Sequence, residues 1–123
     1  MKSIRIDKIS LTEIDVIEPL WNALKEHHRQ HTIDYHDYYL QSTFFKRKAE
    51  LLEKDRLSIF VAYDHQKPIG FCVVSAINKT STSDEQSLLG QLESLYVDRD
   101  YRKLGLGVSL ASKGIAWLKN NSV

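Results

Sequence analysis

The segment that decides the fold of this chain is Arg102-Lys103-Leu104-Gly105-Leu106-Gly107. It follows Gln91-Leu92-Glu93-Ser94-Leu95-Tyr96-Val97, a stretch that is typical of a strand. From residue 107 to about residue 119, apolar residues recur at the spacing of a helix. The two glycines therefore lie in a turn that joins a strand to a helix.

This turn has the chemistry of an anion-binding site. The start of a helix presents unpaired backbone N–H groups at the positive end of the helix dipole, which favours a phosphate. Gly105 and Gly107 have no Cβ, so ligand oxygens can approach their amides closely. Arg102 and Lys103 add positive charge, and arginine can bind an oxyanion through two hydrogen bonds. A structural turn without any ligand would explain two glycines equally well.

Working towards the N-terminus, apolar spacing predicts three more strands and two more helices. Residues 57–63 and 69–76 form an antiparallel hairpin whose apolar residues on both faces call for helices on both sides of the sheet. Residues 78–86 are polar and aperiodic, which predicts a mobile loop. A helical pattern that includes Leu40 and Phe44 ends near Lys54.

The first strand is predicted at residues 4–9, where apolar and polar residues alternate. Ser10 and Glu13 form a capping box for a helix that runs to about His28. Pro19 lies inside this pattern, so the regular helix either begins near Pro19 or is kinked before it.

Composition indicates one small cytoplasmic domain. The chain has 123 residues, and 17 Lys and Arg nearly balance 16 Asp and Glu, so no broad charged surface attracts nucleic acid or a membrane. Residues 1–10 have no unbroken apolar segment, which argues against a signal peptide and a membrane span. The single cysteine, Cys72, excludes an intrachain disulfide and is expected to be a buried, inert thiol.

The turn and the strand before it resemble the acetyl-CoA signature of the GCN5-related N-acetyltransferase (GNAT) superfamily, written Arg or Gln, x, x, Gly, x, Gly or Ala. Arg102, Gly105 and Gly107 meet its three defined positions. The order β-α-α-β-β-β-α also agrees with the family. The resemblance implies an α/β (α+β) fold in which helices flank a mixed, mostly antiparallel sheet.

The resemblance also implies a cosubstrate site for acetyl-CoA, without a metal. The main chain at Leu95 and Val97 is expected to bind the pantetheine arm and to present the thioester. Arg102 and the amides of the following six residues are expected to hold the pyrophosphate. Those six are Lys103, Leu104, Gly105, Leu106, Gly107 and Val108.

The implied reaction is direct attack of a neutral primary amine on the thioester, after a general base removes a proton. Glu93 is the candidate base, since some members of the family carry a catalytic glutamate four residues before the position of Val97. Strand alternation predicts that Glu93 shares a face with Leu95 and Val97. The alternative is a structural carboxylate that faces solvent or pairs with a lysine.

The amine acceptor is expected to contact Tyr35, His36 and Tyr38, because the region between the first two helices lines the acceptor pocket in the family. His27, His28 and His31 could suggest a metal site, since residues four apart share a helix face. Without an accompanying carboxylate or cysteine motif, solvated or partly packed histidines are the preferred interpretation.

Members of the family usually continue into a fifth strand, a fourth helix and two closing strands, whereas this sequence stops at Val123. We therefore expect residues 1–123 to form a single, incomplete N-acetyltransferase domain, truncated before the fifth strand. The alternative function is a catalytically incomplete CoA-binding or assembly module that needs a partner chain or a C-terminal segment. An exposed fourth-strand edge would favour a homodimer.

Overall fold

The predicted hairpin forms the middle of a four-stranded antiparallel sheet. The computed structural model describes residues 4–31, 43–54, 56–79 and 87–121. The strands, in the order in which they pair, are β1 (Ile4–Ile9), β2 (Arg56–Asp64), β3 (Lys67–Lys79) and β4 (Ser87–Val97). The helices are α1 (Glu18–His31), α2 (Phe44–Leu52) and α3 (Leu106–Asn120), with 3₁₀ helices at Leu11–Ile17 and Arg99–Leu104. The predicted order of elements is confirmed.

The first predicted helix is divided in two. Ser10 and Glu13 form the predicted capping box, but the helix that they cap is the 3₁₀ helix Leu11–Ile17. The α-helix begins at Glu18, so Pro19 lies in its first turn, where a missing N–H breaks no intrahelical bond. Of the two alternatives at Pro19, the structure supports a regular helix that begins there.

The last two strands are longer than predicted. Asn78 and Lys79 continue β3 and pair with Leu88 and Ser87, so β4 begins at residue 87 rather than at 91. The prediction of a loop from residue 78 is wrong for these two positions, because the antiparallel ladder stabilises residues whose own strand preference is weak. Residues 80–86 lie outside the described part of the chain.

Each face of the sheet carries its own core, which confirms the prediction of helices on both sides. The face under α1 and α2 buries Ile9, Ile14, Ile17, Leu20, Trp21, Phe44, Leu51, Leu57, Ile59, Val61, Phe71 and Val73. The opposite face, under α3, buries Phe60, Ala62, Ile69, Cys72, Val74, Val97, Tyr101, Leu106 and Leu110. Cys72 is fully buried, and burial raises the pKa of its thiol to about 11. No helix among the described residues has the length and apolar character to cross a membrane.

A β-bulge in β4 makes Glu93 an extra residue. Val73 pairs with Ser94 and Val74 pairs with Leu92, so Glu93 has no partner position on β3. The bulge shifts the alternation of side chains by one residue. As a result, Leu95 and Val97 pack in the core under α3, whereas Glu93 reaches residues of α2. The prediction that Glu93 shares a face with Leu95 and Val97 is wrong for this reason.

The Glu93 carboxylate accepts two hydrogen bonds and forms an ion pair with a lysine. Ser75 Oγ donates to Oε2 at 2.6 Å, Arg47 Nη2 donates to Oε1 at 3.1 Å, and Lys54 Nζ lies 3.6 Å from Oε2. Only 9% of the Glu93 side chain is exposed. Burial by itself would raise the pKa of the carboxyl, but the hydrogen bonds from Ser75 and Arg47 and the two positive charges outweigh it, so the pKa is lowered.

Substitutions at two glycines of α3 test how this helix packs on the sheet. A Cβ at Gly114 would lie 2.7 Å from Val74 Cγ1, whereas a Cβ at Gly107 would meet nothing within 4 Å. Both changes to alanine raise helix propensity, but only Gly114→Ala crowds the core. We expect it to be less stable than Gly107→Ala by about 1–3 kcal/mol, measured by urea unfolding. Equal stabilities would contradict the packing of α3 described above.

Glu93→Gln tests the buried carboxylate through its pH dependence. A folded-state pKa below the unfolded value contributes stability above the unfolded pKa, and that stability is lost as pH falls through the folded pKa. Above about pH 5, wild type should therefore exceed Glu93→Gln by about 1–3 kcal/mol, and the difference should shrink towards about pH 3. Urea unfolding of both proteins between these two pH values measures the difference in stability. A difference that does not vary with pH would overturn the prediction.

Candidate functional site

The glycine turn is built from two short elements that meet at Gly105. The 3₁₀ helix Arg99–Leu104 ends there, and α3 begins at the next residue. Gly105 has φ 75° and ψ 14°, a left-handed conformation that glycine adopts without steric cost. Within the 3₁₀ helix, Tyr101 is buried and its hydroxyl donates to Asp64 Oδ2 at 2.6 Å. This hydrogen bond fixes the turn to the end of β2.

The start of α3 presents backbone donors. No side chain caps Gly105, and its carbonyl accepts from Ser109 N at 3.1 Å, which is the first bond of the α-helical pattern. The amides of Leu106, Gly107 and Val108 precede that bond, in the turn where α-helical N–H groups have no partner within the helix. These amides and the helix dipole make the turn suitable for an anion.

The C-terminal end of β4 presents backbone groups along the edge that does not face β3. Asp98 N donates to Ile69 O of β3 at 2.7 Å, and antiparallel hydrogen bonding alternates every two residues. Tyr96 therefore directs its N–H and C=O towards β3. Leu95 and Val97, on either side of it, direct theirs to the opposite edge, where no strand pairs with β4 among the described residues.

Arg102 connects this strand end to the turn. Its Nε donates to the Val97 carbonyl at 2.9 Å, and its guanidinium lies 5.4 Å from the centroid of the Tyr96 ring. The hydrogen bond holds the arginine beside the turn and leaves its terminal nitrogens available for a second acceptor. Leu104 and Val108 expose most of their side chains, so their expected contribution would come from main-chain groups.

A cavity of about 460 Å³ lies where the strand end, the turn and α1 meet. It is lined by Leu24, His27, His28, Leu95, Tyr96, Val97, Arg102 and Gly107. The structure thus brings together four of the residues predicted to bind the cofactor, at positions 95, 97, 102 and 107. The other predicted positions, 103–106 and 108, belong to the same turn and helix start without lining this cavity, and Glu93 does not line it either.

The sequence did not assign four of the lining residues to a site, namely Leu24, His27, His28 and Tyr96. His27 and His28 follow Leu24 at three and four residues, so the three residues share one face of α1. This spacing is the feature of the sequence that could have predicted their place beside one site. No metal-binding group of three or more His, Cys, Asp or Glu side chains occurs within the described ranges. The predicted acceptor contacts Tyr35, His36 and Tyr38 lie outside those ranges.

Comparisons with known proteins give a family and a set of similar structures. Residues 19–123 match the model of the Acetyltransferase (GNAT) family. No curated protein gives a significant sequence match. A solved acetyltransferase from Vibrio fischeri is 22% identical with a TM-score of 0.76, and the alignment covers 97% of this chain and 89% of that one.

Two aminoglycoside acetyltransferases are also similar in structure. One, a 6'-N-acetyltransferase from Acinetobacter haemolyticus, is 20% identical with a TM-score of 0.63, covering 96% of this chain and 73% of that one. The other, solved with CoA, is 21% identical with a TM-score of 0.62, covering 98% and 72%. At these identities the likeness shows a shared fold. Because the family model matches most of its length, the chain belongs to the Acetyltransferase (GNAT) family.

Proposed function

We propose that this chain is an acetyl-CoA-dependent N-acetyltransferase that moves the acetyl group to a primary amine by direct attack. The observation that carries the proposal is a cavity in which the open edge of β4 meets the start of α3. Leu95 and Val97 line it from β4, and Arg102 and Gly107 line it from the turn and the start of α3.

The proposed binding mode follows from these groups. The pyrophosphate binds the amides at the start of α3, where a missing Cβ at Gly107 leaves room for its oxygens. The pantetheine arm extends along β4 and hydrogen-bonds the outward peptide groups of Leu95 and Val97. The Val97 carbonyl already accepts from Arg102, so the N–H groups and the Leu95 carbonyl are the simplest partners for the arm.

The alternative is a CoA-binding or assembly module that is completed by another chain or segment. The feature that favours it is the outer edge of β4, which is unpaired in the described residues. Leu92 on β4, and Val108 and Ile115 on α3, each expose more than half of their side chains. Val108 and Ile115 are seven residues apart and lie on one face of the helix. These features also support the proposed homodimer.

Gly107→Val tests the phosphate cradle. The protein has open space at this position, so we expect the fold to tolerate the side chain while the ligand is displaced. Affinity for acetyl-CoA, measured by isothermal titration, should fall about tenfold or more, because a bidentate or charged contact contributes about 1.5–3 kcal/mol. The exposed Ser112→Val in the same helix is the matched control.

The same titration discriminates between ligands. Wild type should bind acetyl-CoA and CoA in preference to ATP, since the proposed site also holds the pantetheine arm. Binding of ATP as tight as that of acetyl-CoA would count against the pantetheine site on β4. Unchanged affinity in Gly107→Val would remove the helix start from the binding site.

Glu93→Gln tests the catalytic role predicted from the sequence, which stays a prediction. The carboxylate contacts Ser75 and two cations and does not line the cavity. We therefore expect kcat, measured by thiol release with an amine panel, to change by less than about tenfold. A loss of about 100-fold or more in a folded variant with unchanged acetyl-CoA affinity would instead identify Glu93 as the base.

A further inference from the structure

The face of α1 that borders the cavity carries two imidazoles. His27 and His28 follow Leu24 at three and four residues, and all three side chains line the cavity opposite the C-terminal end of β4. The two rings lie with their centroids 6.2 Å apart and are inclined by 66°. They therefore border the same space as the peptide groups of Leu95 and Val97.

Acetyl transfer to an amine requires a proton acceptor in this space. A primary amine of ordinary basicity is mostly protonated near neutral pH and has no lone pair for attack. Four titratable side chains line the cavity: His27, His28, Tyr96 and Arg102. A guanidinium has no acceptor site, and a neutral phenol is a poor base. Imidazole is the side chain whose neutral form accepts protons near physiological pH.

Glu93 is poorly suited to this task. Its carboxylate is held by Ser75, Arg47 and Lys54 on the side of α2. Although burial opposes it, the combined effect of these partners lowers its pKa, so it is a weak proton acceptor at neutral pH. The proton acceptor must also lie within hydrogen-bonding reach of the amine, directly or through one water molecule.

We infer that the His27–His28 pair supplies the proton acceptor of the proposed acetyl transfer, an inference that depends on the proposed function. One imidazole nitrogen takes a proton from the substrate ammonium and releases it to solvent. The freed amine nitrogen then bonds to the acetyl carbonyl carbon, and the carbon–sulfur bond breaks. The second ammonium proton passes through the imidazole to the departing thiolate, which leaves as CoA thiol.

The effect of the two histidines on kcat must be distinguished from the effect of other charged groups near them. Arg102 and Tyr96 face the cavity from the 3₁₀ helix and from β4. In the sequence of α1, Lys25 and Glu26 precede the pair and Arg29 follows it. Glu26 does not line the cavity and is exposed, so Glu26→Gln is the matched control for a change of charge on the same helix.

The test compares wild type, His27→Gln, His28→Gln, the double variant and Glu26→Gln. Thiol release from acetyl-CoA is followed with kanamycin and with spermidine from about pH 5.5 to pH 9.5, and acetyl-CoA affinity is measured separately by titration. We expect kcat of the double variant to fall about 100-fold or more at neutral pH, with acetyl-CoA affinity changed by less than about threefold. The pH profile of kcat should differ between wild type and the double variant, and the single variants then identify the imidazole that acts.

Two results would overturn the inference while leaving the proposed function intact. One is a double variant that keeps the wild-type kcat and pH profile. The other is an unchanged kcat with acetyl-CoA affinity weakened about tenfold or more, which would show that the imidazoles bind the phosphates. Acetyl-CoA binding by wild type without turnover of either amine overturns the proposed transferase function itself, and this inference with it.

Discussion

One buried carboxylate, with two hydrogen bonds and one ion pair, lies at the β-bulge of β4, and the cavity depends on that bulge. Glu93 is the extra residue of the bulge, and Ser75, Arg47 and Lys54 tie it to β3 and to the α2 side of the sheet. Beyond the bulge the alternation of side chains is reversed, so the residues that follow pack under α3. Without the extra residue, Leu95 and Val97 would turn to the other face.

The second support of the cavity is the attachment of the glycine turn to the sheet. Tyr101 bonds Asp64 of β2, Arg102 bonds the Val97 carbonyl, and Asp98 N bonds Ile69 of β3. Three strands therefore hold a turn of only a few residues. Because the turn is already fixed, the start of α3 loses little conformational freedom when an anion binds its amides. The turn is therefore a preorganised site for an anion.

The elements with strong apolar periodicity could be predicted from the sequence, and the local irregularities could not. The hairpin of β2 and β3, the three helices and the strand-to-turn-to-helix order follow from spacing alone. The bulge was missed because a single extra residue hardly changes a short pattern, although Leu92 and Leu95 are three apart where regular alternation needs an even number. Asn78 and Lys79 joined β3 because pairing across the sheet outweighs their own preference.

Glu93 was predicted as the proton acceptor, whereas the His27–His28 pair is inferred from the structure. The difference arises because cations that pair with a carboxylate also make it a weaker base. A sequence pattern favours Glu93 because a carboxylate at a family position is easily recognised, but it cannot show which cations lie beside it. Arg47 and Lys54 stabilise the charged form and so reduce its tendency to take a proton. His27 and His28 resemble ordinary helix residues in the sequence and acquire a chemical role only when the fold brings α1 against the end of β4. The cations that hold Glu93 at the bulge also weaken it as a base. The structural role therefore falls to Glu93, and the role of proton acceptor falls to His27 and His28.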